Sequence, residues 1–566
     1  MFTRPIPRYL LLALICFLAI VPFFRWGSPS GHDFEFHMYS WMEVLAQWKQ
    51  GVVYPRWAAF AQWGYGEARF LFYPPGSWTL GAALGAALPW RAVPGAYCWI
   101  VLTLAGASMY GLARRWLSSA DAFFAAAFYA LNPYHLLVVY WRSAFAELLA
   151  AIVLPLVVLC MLRIRQDGAR PVLWLGLALA GAWMANAPAA MMIHYSAAGL
   201  ALVIALQEST LRAAGHVLAK TLLGILLGAG LAAFYLLPAI YEQPWVNIAA
   251  LMSPGVSPQD NFLFTMMADV DHNNFNLLVS IVALSEIAVL ALAVWLARKI
   301  WVKGTERCTG RRRTWTLLAV WGAGTAFAML PASNFLWMHL PKFRFVQLPF
   351  RWLLCLNAPL ALLLGMATAT SVARPAATRW VVRAFSSALL VAILLVAGHR
   401  IQPPWWDQAA DIQEMRDAVS DGIGYDGTDE YVPAGADPYE VNKDLAGVTD
   451  AGGAPVNAQI LGWTAVDRHF KLRSNSAGTV TVRLFNYPAW HVTVNGRRVS
   501  TQTTELTGLM IVPVALGEND VEIRFGRTPD RLAGDIVSLM SAGIFAGFYF
   551  ATRQKAALPR AAEEAA

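Results

Sequence analysis

The sequence predicts a mainly α-helical membrane protein with a β-rich domain near its C-terminus. Of its 566 residues, 58% are hydrophobic and only 14% are charged, whereas soluble domains are roughly 25% charged. This composition excludes both a soluble globular protein and a disordered chain. Long apolar segments recur along the chain, and alternating apolar and polar residues begin after about position 456. The first pattern predicts about 12 transmembrane helices, and the second predicts a C-terminal outer-face β-sandwich domain.

Each crossing of a bilayer needs ~20 largely apolar residues. The predicted segments are 9–26, 94–113, 119–138, 144–162, 171–187, 190–206, 217–237, 276–297, 314–330, 351–371, 380–398 and 532–552. Basic residues fall in alternate gaps, such as Arg114-Arg115 and Arg311-Arg312-Arg313. Because arginine and lysine in short loops mark the cytoplasmic side, both termini are predicted to be cytoplasmic.

This topology divides the chain into three predicted parts. Residues 1–398 form a transmembrane module with a large first outer loop (27–93), residues 399–531 form an outer β-rich domain, and residues 532–566 form the final span and a cytoplasmic tail. Within the first outer loop, Trp78 to Leu88 is apolar but too short to cross. We expect it to lie in the outer leaflet or to re-enter it.

The strands of the β-rich domain are signalled by period-two alternation. Val480 to Leu484 and Val492 to Val494 alternate in this way, and Asn495-Gly496 follows directly as a two-residue hairpin signal. Leu509 to Val514 and Val521 to Phe525 predict further strands around a turn at 517–519.

Titratable residues concentrate directly after the first span. His32, Asp33, Glu35 and His37 lie within six positions, on the predicted outer face near the lipid boundary. A carboxylate there could remove a proton from an acceptor hydroxyl in general-base catalysis. Asp33, Glu35 and His37 could equally hold a divalent metal such as Mg or Mn. The alternative is a solvated turn in which Asp33 is the N-cap of a helix that starts near Phe34.

Several charged residues outside this cluster also require an explanation. Arg56 lies on the outer face against the positive-inside rule, where it could bind phosphate oxygens or form an ordinary salt bridge. Five helical steps would put Arg142 and Glu147 about 140° apart, so we expect them not to pair. Arg351 adds positive charge on the same face. Glu286 sits in the middle of a span, where an ionisable group indicates either function or a buried hydrogen bond.

The combination of these stretches resembles a known family of bacterial membrane proteins. The matching stretches are Gly31 to His37, Gly51 to Trp57, Gly64 to Pro75, Asn132 to His135, Arg142 to Glu147, Gln347 to Arg351, Tyr425 to Pro433 and Tyr487 to Trp490. The family carries the label "6-pyruvoyl-tetrahydropterin synthase-related" and belongs to the GT-C glycosyltransferase superfamily. The sequence shows no pterin-binding or soluble synthase features.

The resemblance implies a GT-C-like bundle in the bacterial cytoplasmic (inner) membrane. Such enzymes resemble each other in taking a sugar from a polyprenyl-phosphate carrier and passing it to an acceptor on the outer face. An aspartate early in the first outer loop acts as the base, and the matching position here is Asp33. The implied partners are a polyprenyl-phosphate-sugar donor, membrane lipids and an envelope glycan, lipid or protein acceptor, without nucleic acid.

A lipid-linked donor would keep its phosphate at headgroup depth, so cations there would stabilise the leaving group. Arg56, Arg142 and Arg351 are the candidates for donor phosphate binding, and attack opposite the leaving group would invert the anomeric configuration. The substrate-lining candidates are His32, Glu35, His37, Tyr54, Tyr73 and Glu147.

Two other functions remain open from the sequence. One is a transporter or flippase of lipid-linked sugars, although transporters often show internal repeats and charges within spans. The other is a non-catalytic scaffold whose outer β-domain binds envelope glycans.

Overall fold

The computed structural model describes residues 6–301, 309–370 and 375–564. The predicted ends at residues 371 and 566 therefore lie outside the described residues. The described helices are α1 (Ile6–Ala19), α2 (Val21–Trp26), α3 (Phe34–Lys49), α4 (Arg69–Phe72), α5 (Pro75–Ala87), α6 (Val93–Ala113), α7 (Ser119–Ala130), α8 (Pro133–Leu137), α9 (Phe145–Arg163), α10 (Arg170–Ala185), α11 (Ala187–Leu206), α12 (Leu211–Leu231), α13 (Ala233–Tyr241), α14 (Val270–Trp301), α15 (Thr309–Ala328), α16 (Asn334–His339), α17 (Leu353–Ala367), α18 (Ala376–Ile401), α19 (Ala409–Ser420) and α20 (Pro529–Glu564).

The mainly helical fold is confirmed, and every predicted apolar segment is helical over most of its length. In the described residues, ten helices are long and apolar enough to cross a membrane, and the bent pair Gly310–Ala328 and Pro331–His339 would make an eleventh. The predicted segment 171–187 is the apolar helix α10, which has only 16 residues. The chain is a multi-pass membrane protein.

The predicted span 119–138 is interrupted inside the helix bundle. Helix α7 ends at Ala130, and the Asn132 side chain caps α8 by accepting the N–H of His135 at 2.8 Å. Pro133 fits the first turn of α8 because it has no N–H to leave unpaired. A π-helical segment, Val138–Arg142, follows, and Ser143 then has a left-handed backbone with φ of 48°. Helix α9 starts two residues later, so the chain reverses direction between Arg142 and Phe145.

The three long loops meet at one end of the bundle. Strands β1 (Ser28–Pro29) and β2 (Trp406–Asp407) pair antiparallel and join the first loop to the third. Single bridges join Ala61 to Tyr425 and Val246 to Pro433. The predicted apolar segment 78–88 belongs to α5, which packs against α3 and α6. Its placement relative to a membrane stays a prediction.

The β-rich part consists of two facing sheets. Its strands are β3 (Val448–Thr449), β4 (Ala458–Trp463), β5 (Asp467–Ser474), β6 (Gly478–Phe485), β7 (Trp490–Val494), β8 (Arg497–Val499), β9 (Gln502–Thr503), β10 (Leu509–Val514) and β11 (Gly517–Phe525). One sheet has the order β3-β6-β10-β9 and the other has the order β4-β5-β11-β7-β8. All pairings in the two sheets are antiparallel.

The predicted hairpin is confirmed, whereas one predicted turn lies elsewhere. Asn495 and Gly496 both have positive φ, as a type I′ turn requires, and they connect β7 to β8. The turn predicted at 517–519 is wrong because β11 already starts at Gly517. The reversal is at 515–516, where the Asn519 side-chain amide donates to the Ala515 carbonyl at 2.8 Å and closes the loop.

The core of the β-sandwich includes residues of the first loop. Trp57 and Tyr65 are fully buried in the same apolar cluster as Phe470, Val482 and Ile523. The Tyr65 carbonyl also accepts the N–H of Phe485 at 3.1 Å. The first loop is therefore an integral part of the sandwich.

A buried ion pair joins the second loop, the sandwich and the last span. Glu242 is fully buried and accepts two hydrogen bonds from Arg531, from Nε at 2.7 Å and from Nη2 at 2.8 Å. The Tyr487 hydroxyl donates to the same carboxylate at 2.6 Å. Such a pair is costly to break because the remaining charge stays buried.

We expect Arg531→Met to lower the free energy of unfolding by about 3–5 kcal/mol, because it leaves the Glu242 carboxylate buried without its charge partner. Arg527→Gln, which breaks an exposed ion pair with Asp535, should cost at most about 1 kcal/mol. Detergent-denaturant unfolding of the purified protein measures both. Equal losses would show that the buried pair is no more important than a surface pair.

Candidate active site

The residues just before α3 contact the chain reversal at Arg142 and Ser143. The Asp33 N–H donates to the Arg142 carbonyl at 2.9 Å, and the Gly31 N–H donates to the Ser143 hydroxyl at 2.9 Å. A Cβ on Gly31 would come within 2.5 Å of the Arg142 and Trp141 backbone. Glycine is therefore required at position 31 for this close approach.

Two arginines share one buried carboxylate beside this contact. Glu147 accepts a hydrogen bond from Arg142 Nη1 at 2.6 Å, and Arg351 Nε lies 3.3 Å from the same oxygen. The Arg142 and Glu147 side chains are almost fully buried, and the Arg351 side chain is 12% exposed. Two cations share one anion in this cluster, so its net charge is about +1, and the Asp33 carboxylate is a second anion that acts on both arginines.

The expectation that Arg142 and Glu147 do not pair is wrong. It assumed one continuous helix, but the left-handed Ser143 and the non-helical Ala144 reverse the chain between them. The angular separation of residues on a helix therefore does not apply, and the two side chains meet. The reversal depends on a positive φ at a serine, for which the sequence carries no glycine signal.

Asp33 is the N-cap residue of α3, but its carboxylate makes no capping hydrogen bond. Among the described residues, the carboxylate has no hydrogen bond or ion pair, and it interacts electrostatically with Arg142 and Arg351. The side chain is half-buried. It is thus a free acceptor close enough to two cations to interact with them electrostatically.

Aromatic and imidazole side chains lie near Asp33. Tyr73 packs edge-on against His37, with ring centres 5.9 Å apart. Burial, and then the charge of Asp33, raise the pKa of Tyr73 well above its ordinary value, so Tyr73 remains a hydroxyl donor. Burial lowers the pKa of His37 to about 4, so this imidazole is neutral at physiological pH. His32 packs edge-on against Phe275 of α14, with ring centres 4.5 Å apart.

Tyr134 connects the arginine cluster to the centre of the bundle, a role that the sequence analysis missed. Its hydroxyl donates to Glu147, and its N–H donates to the carboxylate of Glu286 at 3.1 Å. Glu286 therefore caps the first turn of α8 in the buried interior and is fully buried. Of the two explanations for Glu286, the structure shows the buried hydrogen bond.

Three predicted site residues lie apart from this cluster. Arg56 donates to the Phe234 carbonyl at 3.4 Å and packs over the Tyr54 ring at 4.9 Å. Burial lowers the pKa of Arg56, and its charged neighbours include Arg531, Asp535 and Glu242. Tyr54 also lies between Trp78 and Phe234.

Glu35 is exposed and acts electrostatically on Tyr39 and Asp407. Glu35 is the second residue of α3, two positions before His37. Its side chain therefore points away from the buried helix face that carries His37. These positions explain why neither Arg56 nor Glu35 joins Asp33.

The predicted metal-binding group does not form. No cluster of three or more His, Cys, Asp or Glu side chains in the described parts of the chain is placed to hold a metal ion. Asp33 lies at the cap of α3, Glu35 is exposed, and His37 is buried with Nδ1 3.4 Å from the Ser77 hydroxyl. The helical geometry of α3 separates the three side chains, so they do not fit a shared Mg or Mn site.

The geometry assembles an anion-binding group next to a free carboxylate. Arg142 and Arg351 each use Nη1 for internal hydrogen bonds, Arg351 donating to the Val346 carbonyl at 2.8 Å. Their Nη2 atoms have no hydrogen-bond partner among the described residues. A phosphate could therefore accept from both guanidinium groups while Asp33 remains available as a base.

No protein-family model matches the sequence, and no curated protein matches it. The solved structure of the arabinofuranosyltransferase AftD from Mycobacteria is similar, at 17% sequence identity and a TM-score of 0.42, over 69% of this chain and 27% of that chain. Two structures of a mutant of that enzyme give 15–16% identity and TM-scores of 0.41 and 0.42. The chain therefore spans little more than a quarter of the length of these structures. The narrower family resemblance stays a prediction.

We expect Tyr134→Phe to lower the free energy of unfolding by about 1.5–3 kcal/mol, because Glu147 loses a hydrogen bond to a buried charge. Tyr129→Phe is the matched control, since the equally buried Tyr129 donates to the neutral Ala151 carbonyl at 2.9 Å. It should cost about 1 kcal/mol. Detergent-denaturant unfolding compares the two, and a smaller loss for Tyr134→Phe would contradict the assigned hydrogen bond.

Proposed function

We propose that this protein is a membrane glycosyltransferase that moves a sugar from a polyprenyl-phosphate-linked donor to a cell-envelope acceptor on the outer face of the bacterial inner membrane. The observation that carries the proposal is the free Asp33 carboxylate beside Arg142 and Arg351. Both termini would be cytoplasmic, and the acceptor would be a glycan, lipid or protein.

The two arginines support binding of the donor phosphate. Both guanidinium groups lie at an end of the helix bundle, where a lipid-linked phosphate would sit at headgroup depth. Glu147 holds them in place, so their positive charge is oriented before the donor arrives. As the sugar–phosphate bond breaks, negative charge grows on the phosphate, and preorganised donors stabilise it most in the transition state.

Asp33 is the proposed base. The acceptor hydroxyl would attack the anomeric carbon on the face opposite the phosphate, and its proton would pass to the Asp33 carboxylate. The bond to the phosphate oxygen breaks as the new glycosidic bond forms, so the anomeric configuration inverts. Tyr73, which keeps its proton, would donate to a sugar oxygen, and His32 and His37 would line the bound substrate.

The outer β-rich domain, residues 399–531, would position the acceptor. Its sandwich shares a core with the first loop, which also carries Asp33. This connection supports a role for the domain at the same site, whereas a glycan-binding scaffold would not require the arginine cluster.

We expect Asp33→Asn to reduce sugar transfer at least 100-fold, because general-base catalysis contributes about 10²–10⁴-fold. Transfer from lipid-linked sugars to envelope acceptors, measured in vesicles by mass spectrometry, tests this. Glu414→Gln, an exposed carboxylate of α19, is the control and should leave transfer unchanged. Full activity of Asp33→Asn would remove Asp33 from the role of base.

We expect Arg351→Gln to lower kcat by about 10²–10³-fold, because one preorganised donor to the developing phosphate charge is lost. Arg416→Gln changes an exposed arginine of α19 and should have no such effect. If wild-type protein moves labelled lipid-linked sugar between leaflets without forming a glycosidic bond, the transporter alternative replaces this proposal.

A further inference from the structure

A cavity lies on the β-rich side of the molecule. Its volume is about 270 Å³, and its walls come from the end of α3, the first loop, residue 422 and the strands of the sandwich. Gln50, Phe60, Trp463, Thr464, Arg468 and Arg483 are among the lining residues. None of them belongs to the Asp33 and Arg351 cluster, so the cavity is a separate feature.

Arg468 is a buried cation without an ion-pair partner among the described residues. It is only 2% exposed, its Nη1 donates to the Asp467 carbonyl at 3.2 Å, and its Nε is buried without a hydrogen-bond partner. The Asp467 carboxylate lies 3.5 Å from Arg524 instead. Burying an unpaired charge is costly, and a guanidinium group does not readily release its proton.

Arg483 adds a second unpaired cation to the same cavity. Its Nη1 donates to the Leu445 carbonyl at 3.1 Å and its Nη2 to the Lys443 carbonyl at 2.8 Å. Its Nε is buried without a partner. Neutral carbonyls satisfy hydrogen bonds but do not neutralise charge, so two positive charges line the cavity.

Two acidic side chains act on Arg468 electrostatically, Asp467 more strongly than Glu43, and both have other partners. Glu43 acts on Arg468 electrostatically, but its carboxylate accepts from the Tyr425 hydroxyl at 2.6 Å and from the N–H groups of Ala59 and Phe60. The protein therefore provides the cations and leaves the anion to a ligand.

An aromatic surface accompanies these cations. The Trp463 ring lies under the Arg468 guanidinium at 5.0 Å, and the residue is 36% exposed. Aromatic walls with a few fixed polar groups are typical of small-molecule sites. The volume is below the 300–1,000 Å³ usual for drug-sized ligands, so it suits a single sugar ring.

We propose that this cavity binds one acidic sugar unit of a glycan, with its carboxylate between Arg468 and Arg483 and its ring against Trp463. A carboxylate can accept hydrogen bonds from two guanidinium groups, and both guanidinium groups belong to residues that line the cavity. The ligand would bridge the first loop and the sandwich. This proposal does not depend on the transferase function, and its test requires no activity.

The test is calorimetric titration of the full chain in detergent with methyl β-D-glucuronide, methyl β-D-glucoside and inorganic phosphate. We expect the glucuronide to bind at least tenfold more tightly than the glucoside, because charge-assisted hydrogen bonds are lost with the carboxylate. Equal binding of the two sugars would overturn the proposal. Binding of phosphate as tight as that of the glucuronide would overturn the assignment to a sugar.

Variants separate the contributions of charge and ring. Arg468→Gln and Trp463→Ala should each weaken glucuronide binding at least tenfold, whereas Arg473→Gln, an exposed arginine of β5, should not. Without ligand, Arg468→Gln should keep or raise the melting temperature, because it removes an unpaired buried charge. A marked fall in melting temperature would show that the protein itself already compensates Arg468, and would contradict the proposal.

Discussion

The candidate site depends on one buried carboxylate that holds two arginines. Without Glu147, Arg142 and Arg351 would be two like charges close together in an apolar bundle, and their repulsion would push them apart. With it, their guanidinium groups are fixed side by side and retain a net positive charge. Tyr134 gives the carboxylate a second hydrogen-bond donor besides Arg142 and links it to Glu286. Glu147 therefore determines the net charge of the cluster, the orientation of the two guanidinium groups and their place in the bundle.

The chain reversal at Ser143 makes this arrangement possible. It brings Glu147, at the start of α9, back to Arg142. It also leaves the Arg142 carbonyl available to accept the hydrogen bond from the Asp33 N–H. The same few residues thus position both the cations and the free carboxylate. A continuous helix through this region would separate all three.

Much of the architecture could be predicted from the sequence, because apolar length and period-two alternation report directly on burial. The apolar segments and the Asn495-Gly496 hairpin are examples. The pairing of Arg142 with Glu147 could not be predicted, because it depends on a left-handed serine. The positions of Arg56 and Glu35 depend on which neighbours pack against them, and a sequence pattern does not contain that information. Asp33 and Arg351 were identified by residue type, but their proximity is a property of the tertiary fold.

The ion pair of Glu242 with Arg531 has a consequence for biosynthesis. The two residues are 289 positions apart, so the ribosome completes the second loop long before it makes the arginine. Until then, the carboxylate lacks its cation, and this ion pair cannot fix the second loop against the sandwich. Because chains fold from the N-terminus during synthesis, insertion of the last helix is the step that completes this end of the molecule. A chain truncated before that helix would contain every residue of the arginine cluster. It would lack the ion pair that joins the second loop to the sandwich and the last span.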